Sequence, residues 1–169
     1  VYTVTDETLE LLNRAEQDPN IVGILVQIDS SGGSPAAAIE LTERLQEIEM
    51  PVAAYIRDVG ASAAYFIATG ADTIIASPVA DVGSIGVSMS YLQNTLQNRE
   101  EGLEFITLST GKFKDSGDPN KPLTEEERAL FERDLEISHQ FFVDSVARNR
   151  NIPADAVSVL ADGSTMSAS

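Results

Sequence analysis

The chain has 169 residues, a length that suits one domain with a single core, and its 43% apolar and 6% aromatic content is that of a globular protein. Its 27 acidic and 11 basic residues give a formal net charge of −16, which argues against a nucleic-acid partner because such a surface repels phosphate backbones. The absence of cysteine excludes disulfides, thiol nucleophiles and cysteine-based zinc sites.

The first half of the chain alternates predicted helices and strands. Thr5 begins a helix that Asp18-Pro19-Asn20 ends, and residues 21–28 form a β-branched run typical of a strand buried on both faces. The alternation continues with a polar turn over 29–35, a helix over 36–49, a strand over 51–56, a turn over 57–60, a short helix over 61–69 and a strand over 72–76.

The second half carries weaker signals, followed by one long helix. The pattern predicts a strand over 86–89, a helix over 91–98, a strand over 103–108, a loop over 109–122 and an amphipathic helix over 124–149. Thr124 and the glutamate three residues later form a capping box at the start of that helix. Strands separated by helices imply right-handed crossovers and a mostly parallel sheet, so we expect one α/β domain over residues 1–169.

A candidate nucleophile lies in Gly60-Ala61-Ser62-Ala63-Ala64-Tyr65, between a predicted strand and a predicted helix. Ligands of α/β sheets bind beyond the carboxyl ends of strands, and a helix N-terminus offers free backbone N–H groups. Ser62 is therefore a candidate nucleophile. The alternative is that Ser62 simply caps the helix, as serines in this position commonly do.

The segment Asp29-Ser30-Ser31-Gly32-Gly33 follows the first long strand. Paired glycines at the end of a strand let backbone amides point into a cleft and bind an anion or an oxyanion. The alternative is an ordinary turn between strand and helix. Phosphate binding is less favoured, because neither a Gly-x-Gly-x-x-Gly motif nor a Walker lysine is present nearby.

A serine nucleophile needs a base, and the composition limits the choice. The single histidine, His139, lies within the predicted long helix, where we expect a surface or groove residue. Without it a Ser–His–Asp triad is impossible. A lysine can replace histidine when its neutral amine is favoured, and two of the three lysines, Lys112 and Lys114, lie together in the loop after Gly111.

Four motifs together resemble the signal peptide peptidase A-like S49 family of serine peptidases. They occur in the family's order over nearly the whole chain, from about residue 5 to residue 166. The resemblance implies a ClpP/crotonase fold, a mostly parallel sheet with flanking helices. The motifs are Asp29-Ser30-Ser31-Gly32-Gly33, Ala61-Ser62-Ala63-Ala64-Tyr65-Phe66-Ile67-Ala68, Gly83-Ser84-Ile85-Gly86-Val87 and Gly111-Lys112-Phe113-Lys114-Asp115.

The resemblance also assigns roles at matching positions. It implies Ser62 as nucleophile, Lys114 as general base and Ser84 as the serine that hydrogen-bonds the lysine amine. The backbone N–H groups of Gly33 and Ala63 fall on the family's oxyanion hole, and neither a metal nor a cofactor is implied. Two departures concern substrate size: Ser31 stands where the family usually has proline, and Ala63 and Ala64 stand where it often has glycine.

The resemblance further implies a homo-oligomeric endopeptidase that cleaves remnant signal peptides or membrane-protein fragments. In the family a membrane anchor precedes the catalytic domain, which lies outside the cytoplasm. This sequence has neither a long apolar run nor a signal-peptide pattern. The family has a strand before the equivalent of Val1 and a strand–helix segment after that of Ser169, so the resemblance implies a domain trimmed at both ends. Some family members combine residues of neighbouring subunits, so Lys114 serves Ser62 of its own chain or of another copy.

The sequence leaves two other functions open. A crotonase-type acyl-CoA enzyme would use the same scaffold, but it needs acidic residues in the cleft, and the acid nearest to Ser62 in the sequence is Asp58. A catalytically inactive peptide-binding scaffold is the third interpretation, with Ser62 only capping a helix. Labelling by a serine-directed phosphonate separates the three.

Overall fold

The computed structural model describes residues 5–169, so the first four residues of the predicted domain lie outside the described residues. The chain divides into two compact units. The first combines the chain up to Gly86 with Gln140–Ser169, and the second is Val87–His139. The expectation of one peptidase domain over 1–169 stays a prediction.

The first unit contains a five-stranded sheet built around its longest strand. Strand β2 pairs in parallel with β1 along one edge, and with β3 and then β4 along the other. Only the β4–β5 pair is antiparallel, as expected of a mostly parallel α/β sheet. The strands are β1 (Ile24–Ser30), β2 (Val52–Ala61), β3 (Thr73–Ala76), β4 (Asp81–Gly83) and β5 (Thr165–Ser167).

Six helices accompany these strands in the described residues, and their starts follow ordinary helix chemistry. The second begins at Pro35, with the Ser34 hydroxyl accepting from the Ala37 N–H at 3.5 Å. The fifth begins after Thr124, in the predicted capping box with Glu127. The helices are α1 (Thr5–Gln17), α2 (Pro35–Glu47), α3 (Ala63–Thr69), α4 (Thr95–Glu100), α5 (Glu125–Arg150) and α6 (Ala154–Ser158).

The core of the first unit consists of two clusters of buried side chains. One cluster joins β1 and β2 to α1, α2 and α3, and it includes the fully buried Ile56. The other joins α2, α3 and α6 to the C-terminal part of α5, where the Phe66 and Phe142 rings meet edge to face with centroids 5.2 Å apart. Together they hold α3, and therefore the residue that precedes it, firmly on the sheet.

Several sequence predictions are wrong. Strand β1 is not buried on both faces: Ile28 is buried, but Leu25 on the opposite face is 65% exposed. Residues 86–89 and 103–108 form no strand, because neither segment pairs with another strand in the described part of the chain. Apolar side chains in the second segment, such as Ile106 and Leu108, are therefore exposed. The predicted turn over 57–60 is strand, because β2 continues to Ala61 while pairing with β1 and β4. The sequence patterns also failed to indicate β4, β5 and α6.

Candidate active site

Ser62 alone forms the turn between β2 and α3. The strand ends at Ala61 and the helix begins at Ala63, which leaves Ser62 with φ 52° and ψ −124°. An L-residue rarely adopts this conformation, which stores about 1–3 kcal/mol of strain. Two hydrogen bonds hold it: the Ser62 N–H donates to the Gly83 carbonyl at 2.8 Å, and the Ser62 carbonyl accepts from the Phe66 N–H at 2.9 Å.

The Ser62 hydroxyl does not cap α3, although Ser62 occupies the N-cap position. Its side chain is half-buried and makes no hydrogen bond within residues 5–169. Ser34, at the start of α2, shows the ordinary alternative, in which the hydroxyl accepts from a helix N–H. The helix-cap interpretation of Ser62 therefore lacks the hydrogen bond that would define it.

The two predicted motifs of the first unit meet at Gly32. A Cβ atom placed on Gly32 would lie 2.9 Å from the Ser62 Cβ and 3.3 Å from the Ala63 nitrogen, and Gly32 has φ +120°. Only glycine fits both the space and the backbone conformation. The contact arises because β1 and β2 are parallel neighbours, so the chain segments that leave their carboxyl ends lie side by side.

Ser30 braces this glycine turn. Its hydroxyl accepts from the Gly32 N–H at 3.2 Å and donates to the Gly32 carbonyl at 3.3 Å. The pairing of β1 with β2 shifts register between Ile28 and Ser30. At the shift, the Asp29 carboxylate accepts a hydrogen bond from the Val59 N–H at 3.3 Å. Irregularities of this kind re-aim the chain at the end of a strand.

Two backbone donors beside Ser62 are unused. The N–H groups of Gly33 and Ala63 reach no acceptor within residues 5–169. Ala63 is the first residue of α3, whose N–H has no intrahelical partner, and Gly33 follows the glycine that touches Ser62. The arrangement offers two N–H groups to a developing negative charge close to the serine.

Ser84 follows the end of β4 and is held by a turn near the C-terminus. Its hydroxyl donates to the Gly163 carbonyl at 3.1 Å, and its N–H donates to the Ser164 carbonyl at 2.8 Å. This turn is not among the predicted elements. Asp162-Gly163-Ser164 is a turn-forming tripeptide, which is the signal that marks it.

The lysines lie in the second unit and differ in their partners. The Lys112 Nζ lies 2.7 Å from Glu126 and over the Phe113 ring, and the Lys121 Nζ contacts Asp115 and Glu127. Hydrogen bonding to Glu127, ahead of that to Asp115, raises the pKa of Lys121. The Lys114 side chain is exposed, and its amine has no ion pair within the described residues.

The predicted site residues thus fall into two groups. Gly33, Ser62, Ala63 and Ser84 belong to the first unit, whereas Lys114 belongs to the second, as does His139 on α5. Among residues 5–169 no group of three or more His, Asp or Glu side chains suits a metal ion, and no helix is long and apolar enough to cross a membrane.

Comparison with known proteins relates this chain to peptidases. A family model described as peptidase family S49 matches residues 44–169. A predicted protease of Methanocaldococcus jannaschii is 32% identical over 157 residues, covering 92% of this chain and 50% of the relative. The chloroplastic serine protease SPPA of Arabidopsis thaliana is 28% identical over 163 residues, covering 95% of this chain and 24% of the relative. The chain therefore spans half or less of the length of these relatives.

Comparison with solved structures agrees on the fold. ClpP1 from Listeria monocytogenes superposes with a TM-score of 0.61 and 13% sequence identity, covering 97% of this chain and 75% of that one. At that identity the likeness concerns architecture alone. The ClpP-like fold expected from the sequence is confirmed.

Proposed function

Because the chain belongs to peptidase family S49, we propose that it is a serine endopeptidase in which Ser62 is the nucleophile and Lys114 the general base. The observation that carries the proposal is the state of Ser62: a strained single-residue turn, a hydroxyl without a partner in the described residues, and a glycine turn packed against it. A strained strand-to-helix turn is a recurrent way of presenting a serine nucleophile.

The proposed reaction is acyl transfer in two steps. The neutral amine of Lys114 takes the hydroxyl proton of Ser62 while Oγ bonds to the peptide carbonyl carbon, and the oxyanion is bound by the N–H groups of Gly33 and Ala63. The ammonium then gives its proton to the departing amine as the carbon–nitrogen bond breaks. In the second step the same amine deprotonates a water molecule that attacks the Ser62 ester, and the ammonium returns the proton to Oγ as the carbon–oxygen bond breaks and the acid leaves.

The choice of Lys114 among the lysines rests on its position in the family motif, and it is supported by the lack of a carboxylate partner for its amine within the described residues. A base must present a neutral amine with a free lone pair, and a neighbouring carboxylate favours the ammonium form instead. Lys112 and Lys121 both have carboxylate partners, and Lys114 has none within the described residues. We assign Ser84 as the hydroxyl that orients the Lys114 amine: its hydrogen is committed to Gly163, so its lone pairs can only accept.

The test compares three single variants with the wild-type chain. Ser62→Ala and Lys114→Ala should each lower kcat by at least about 10³-fold, and Ser62→Ala should also abolish labelling by a serine-directed phosphonate. Lys112→Ala is the matched control, a lysine two residues away in the same loop, and should retain most activity. Full turnover by Ser62→Ala would sink the proposal, and an indispensable Lys112 would move the base by two residues.

We also propose the substrates and the setting that the family resemblance implies: remnant signal peptides or membrane-protein fragments, cleaved by a homo-oligomer whose full-length protein is membrane-anchored outside the cytoplasm. The methyl group of Ala63, which is only partly buried beside Ser62 at a position where the family often has glycine, favours small side chains at the cleavage site, whereas Ala64 is buried in the core. Cleavage of a signal peptide, compared with a charged peptide of equal length, measures this preference.

Mixing the two inactive variants tests how the dyad is assembled. If Ser62 and Lys114 come from neighbouring copies, combining Ser62→Ala chains with Lys114→Ala chains restores activity, because some sites then contain both native residues. If the dyad forms within one chain, the mixture stays as inactive as its components. Size-exclusion chromatography with light scattering gives the subunit number in the same samples.

A further inference from the structure

The turn Asp162–Gly163–Ser164 is linked to the nucleophile through a single peptide group. The carbonyl of Gly83 accepts from the Ser62 N–H, and the N–H of the same peptide group, that of Ser84, donates to the Ser164 carbonyl, both at 2.8 Å. A peptide group is planar and rigid, so a displacement of either side is transmitted to the other. The position of Ser62 therefore depends on the position of this turn.

The turn binds both the side chain of Ser84 and the backbone that follows it. Gly163 accepts from the Ser84 hydroxyl at 3.1 Å, and its own N–H donates to the Ile85 carbonyl at 3.1 Å. Ser84 itself has φ 51°, a left-handed conformation that costs a non-glycine residue about 1–2 kcal/mol and persists only when its surroundings hold it. A Cβ atom on Gly86 would lie 2.9 Å from the Gly163 Cα, which shows how closely the two segments approach.

Asp162 gives the turn its shape. Its Oδ1 accepts from the Ser164 N–H at 2.8 Å and from the Ser164 hydroxyl at 2.6 Å. The two hydrogen bonds, first that from the hydroxyl, lower the pKa of the Asp162 carboxyl, so the carboxylate is the form that the turn binds. The side chain is exposed, and its remaining recorded interaction is with its own backbone N–H, so its interactions within the described residues all lie in the turn that it closes.

We propose that Asp162 is a positioning residue for the nucleophile: by closing the turn it fixes the Ser84 backbone and, through the Gly83–Ser84 peptide group, the strained Ser62. The proposal rests on the proposed peptidase function for its kinetic consequence, but not for its structural one. Asp162 makes no recorded contact with Ser62 within the described residues and acts through the turn alone, so its loss should lower kcat and leave KM nearly unchanged.

Asp18 provides a matched control. Its Oδ1 accepts from the backbone N–H and the side chain of Asn20, two residues on, both at 2.9 Å, which is the same local arrangement. This turn precedes β1, at the amino end of the strand, whereas Ser62 follows the carboxyl end of β2. Removal of Asp18 therefore removes an equivalent turn far from the nucleophile.

The kinetic experiment compares Asp162→Ala, Asp162→Asn and Asp18→Ala with the wild-type chain on one peptide substrate. Asp162→Ala should lower kcat by about 10- to 100-fold with KM nearly constant. Asparagine keeps an oxygen that accepts the same two hydrogen bonds, so Asp162→Asn should recover most of that loss. Asp18→Ala should retain wild-type kcat. Equal kcat values for the two alanine variants would overturn the proposal.

A structural readout separates this proposal from the peptidase assignment. Amide hydrogen exchange should become faster at Ser62 and Ser84 in Asp162→Ala, and should stay at the wild-type rate there in Asp18→Ala. Unchanged exchange in Asp162→Ala would overturn the positioning role whether or not the chain cleaves peptides. Faster exchange in Asp162→Ala, together with a wild-type chain that neither turns over nor reacts with a phosphonate, would support the positioning role and reject the peptidase.

Discussion

At the scale of single residues, the site depends on a close approach between two backbones. Gly32 lies so near to Ser62 and Ala63 that any side chain there must displace one of them. Its hydrogen-bonded neighbour Ser30 keeps the turn in place, and the N–H of Gly33 is left available. The geometry around Ser62, the proposed nucleophile, thus depends on a residue without a side chain as much as on residues that carry one.

Replacing Gly32 by alanine tests this approach. The new methyl would lie 2.9 Å from the Ser62 Cβ at a backbone φ of +120°, so we expect kcat/KM to fall by about 10²-fold or more as Ser62, the proposed nucleophile, shifts. Gly102→Ala is the control, because Gly102 has φ +68° with open space around it. Both variants should lose about 1–2 kcal/mol of stability through backbone strain, but Gly102→Ala should keep its activity. Equal activity would show that the contact is not needed.

At the scale of elements, the start of α5 is held by an ion pair joined to a capping box. The buried Glu127 carboxylate accepts from the Thr124 N–H at 2.9 Å and lies 2.5 Å from the Lys121 Nζ. The hydrogen bond from Lys121, followed by that from the Thr124 backbone, lowers the Glu127 pKa from 4.5 to about 2. The C-terminal part of the same helix packs in the core of the first unit. The polar contacts of Glu127 therefore fix the start of α5, whereas apolar packing fixes its end.

The lowered Glu127 pKa predicts an acid-dependent stability. A depressed pKa in the folded state means that the carboxylate stabilises the fold above pH 4.5 and that this contribution is lost as the pH falls towards about 2. Glu127→Gln should therefore lower Tm at pH 6, and its difference from the wild type should shrink between pH 4.5 and 2. Glu126→Gln is the control, since its pair with Lys112 is exposed on both sides and should contribute little. Identical melting of the two variants at pH 6 would contradict the prediction.

At the scale of the whole molecule, residues far apart in the chain form the support of the site. Phe66 on α3 and Phe142 on α5 are each 6% exposed, and Asn149 donates to the Thr69 hydroxyl at 2.9 Å near the end of α3. These contacts keep α3 against the sheet, and α3 follows directly after Ser62. The C-terminal segment of the chain is therefore part of the structure that presents Ser62, the proposed nucleophile.

Phe142→Ala measures that support. Removal of a buried aromatic ring that packs on Phe66 should lower the free energy of unfolding by about 3–5 kcal/mol, as measured by chemical denaturation. Phe141→Ala is the control, because Phe141 also contacts the Phe66 ring but is 45% exposed, and it should cost clearly less. If both variants lose the same amount, the second core cluster does not depend on burial of Phe142.

The sequence alone determined the features that depend on local pattern and composition. Hydrophobic periodicity predicted α1, α2, α3 and the long α5 within a few residues, and the alternation of elements predicted the mostly parallel sheet. Capping chemistry predicted the Thr124–Glu127 box. Composition restricted the candidate bases to one histidine and three lysines, although the assignment of Lys114 stays a prediction.

Only the tertiary structure decided which distant segments meet. Pairing with β1 and β4 extends β2 to Ala61, and the absence of a ladder partner within the described residues leaves 103–108 without strand structure; neither outcome is encoded by a local pattern. The Gly32 contact, the uncommitted Ser62 hydroxyl and the turn at Asp162 likewise require residues separated by tens of positions to be packed together. Periodicity specifies which residues are buried, whereas the close approach of two backbones is fixed only when the sheet is assembled.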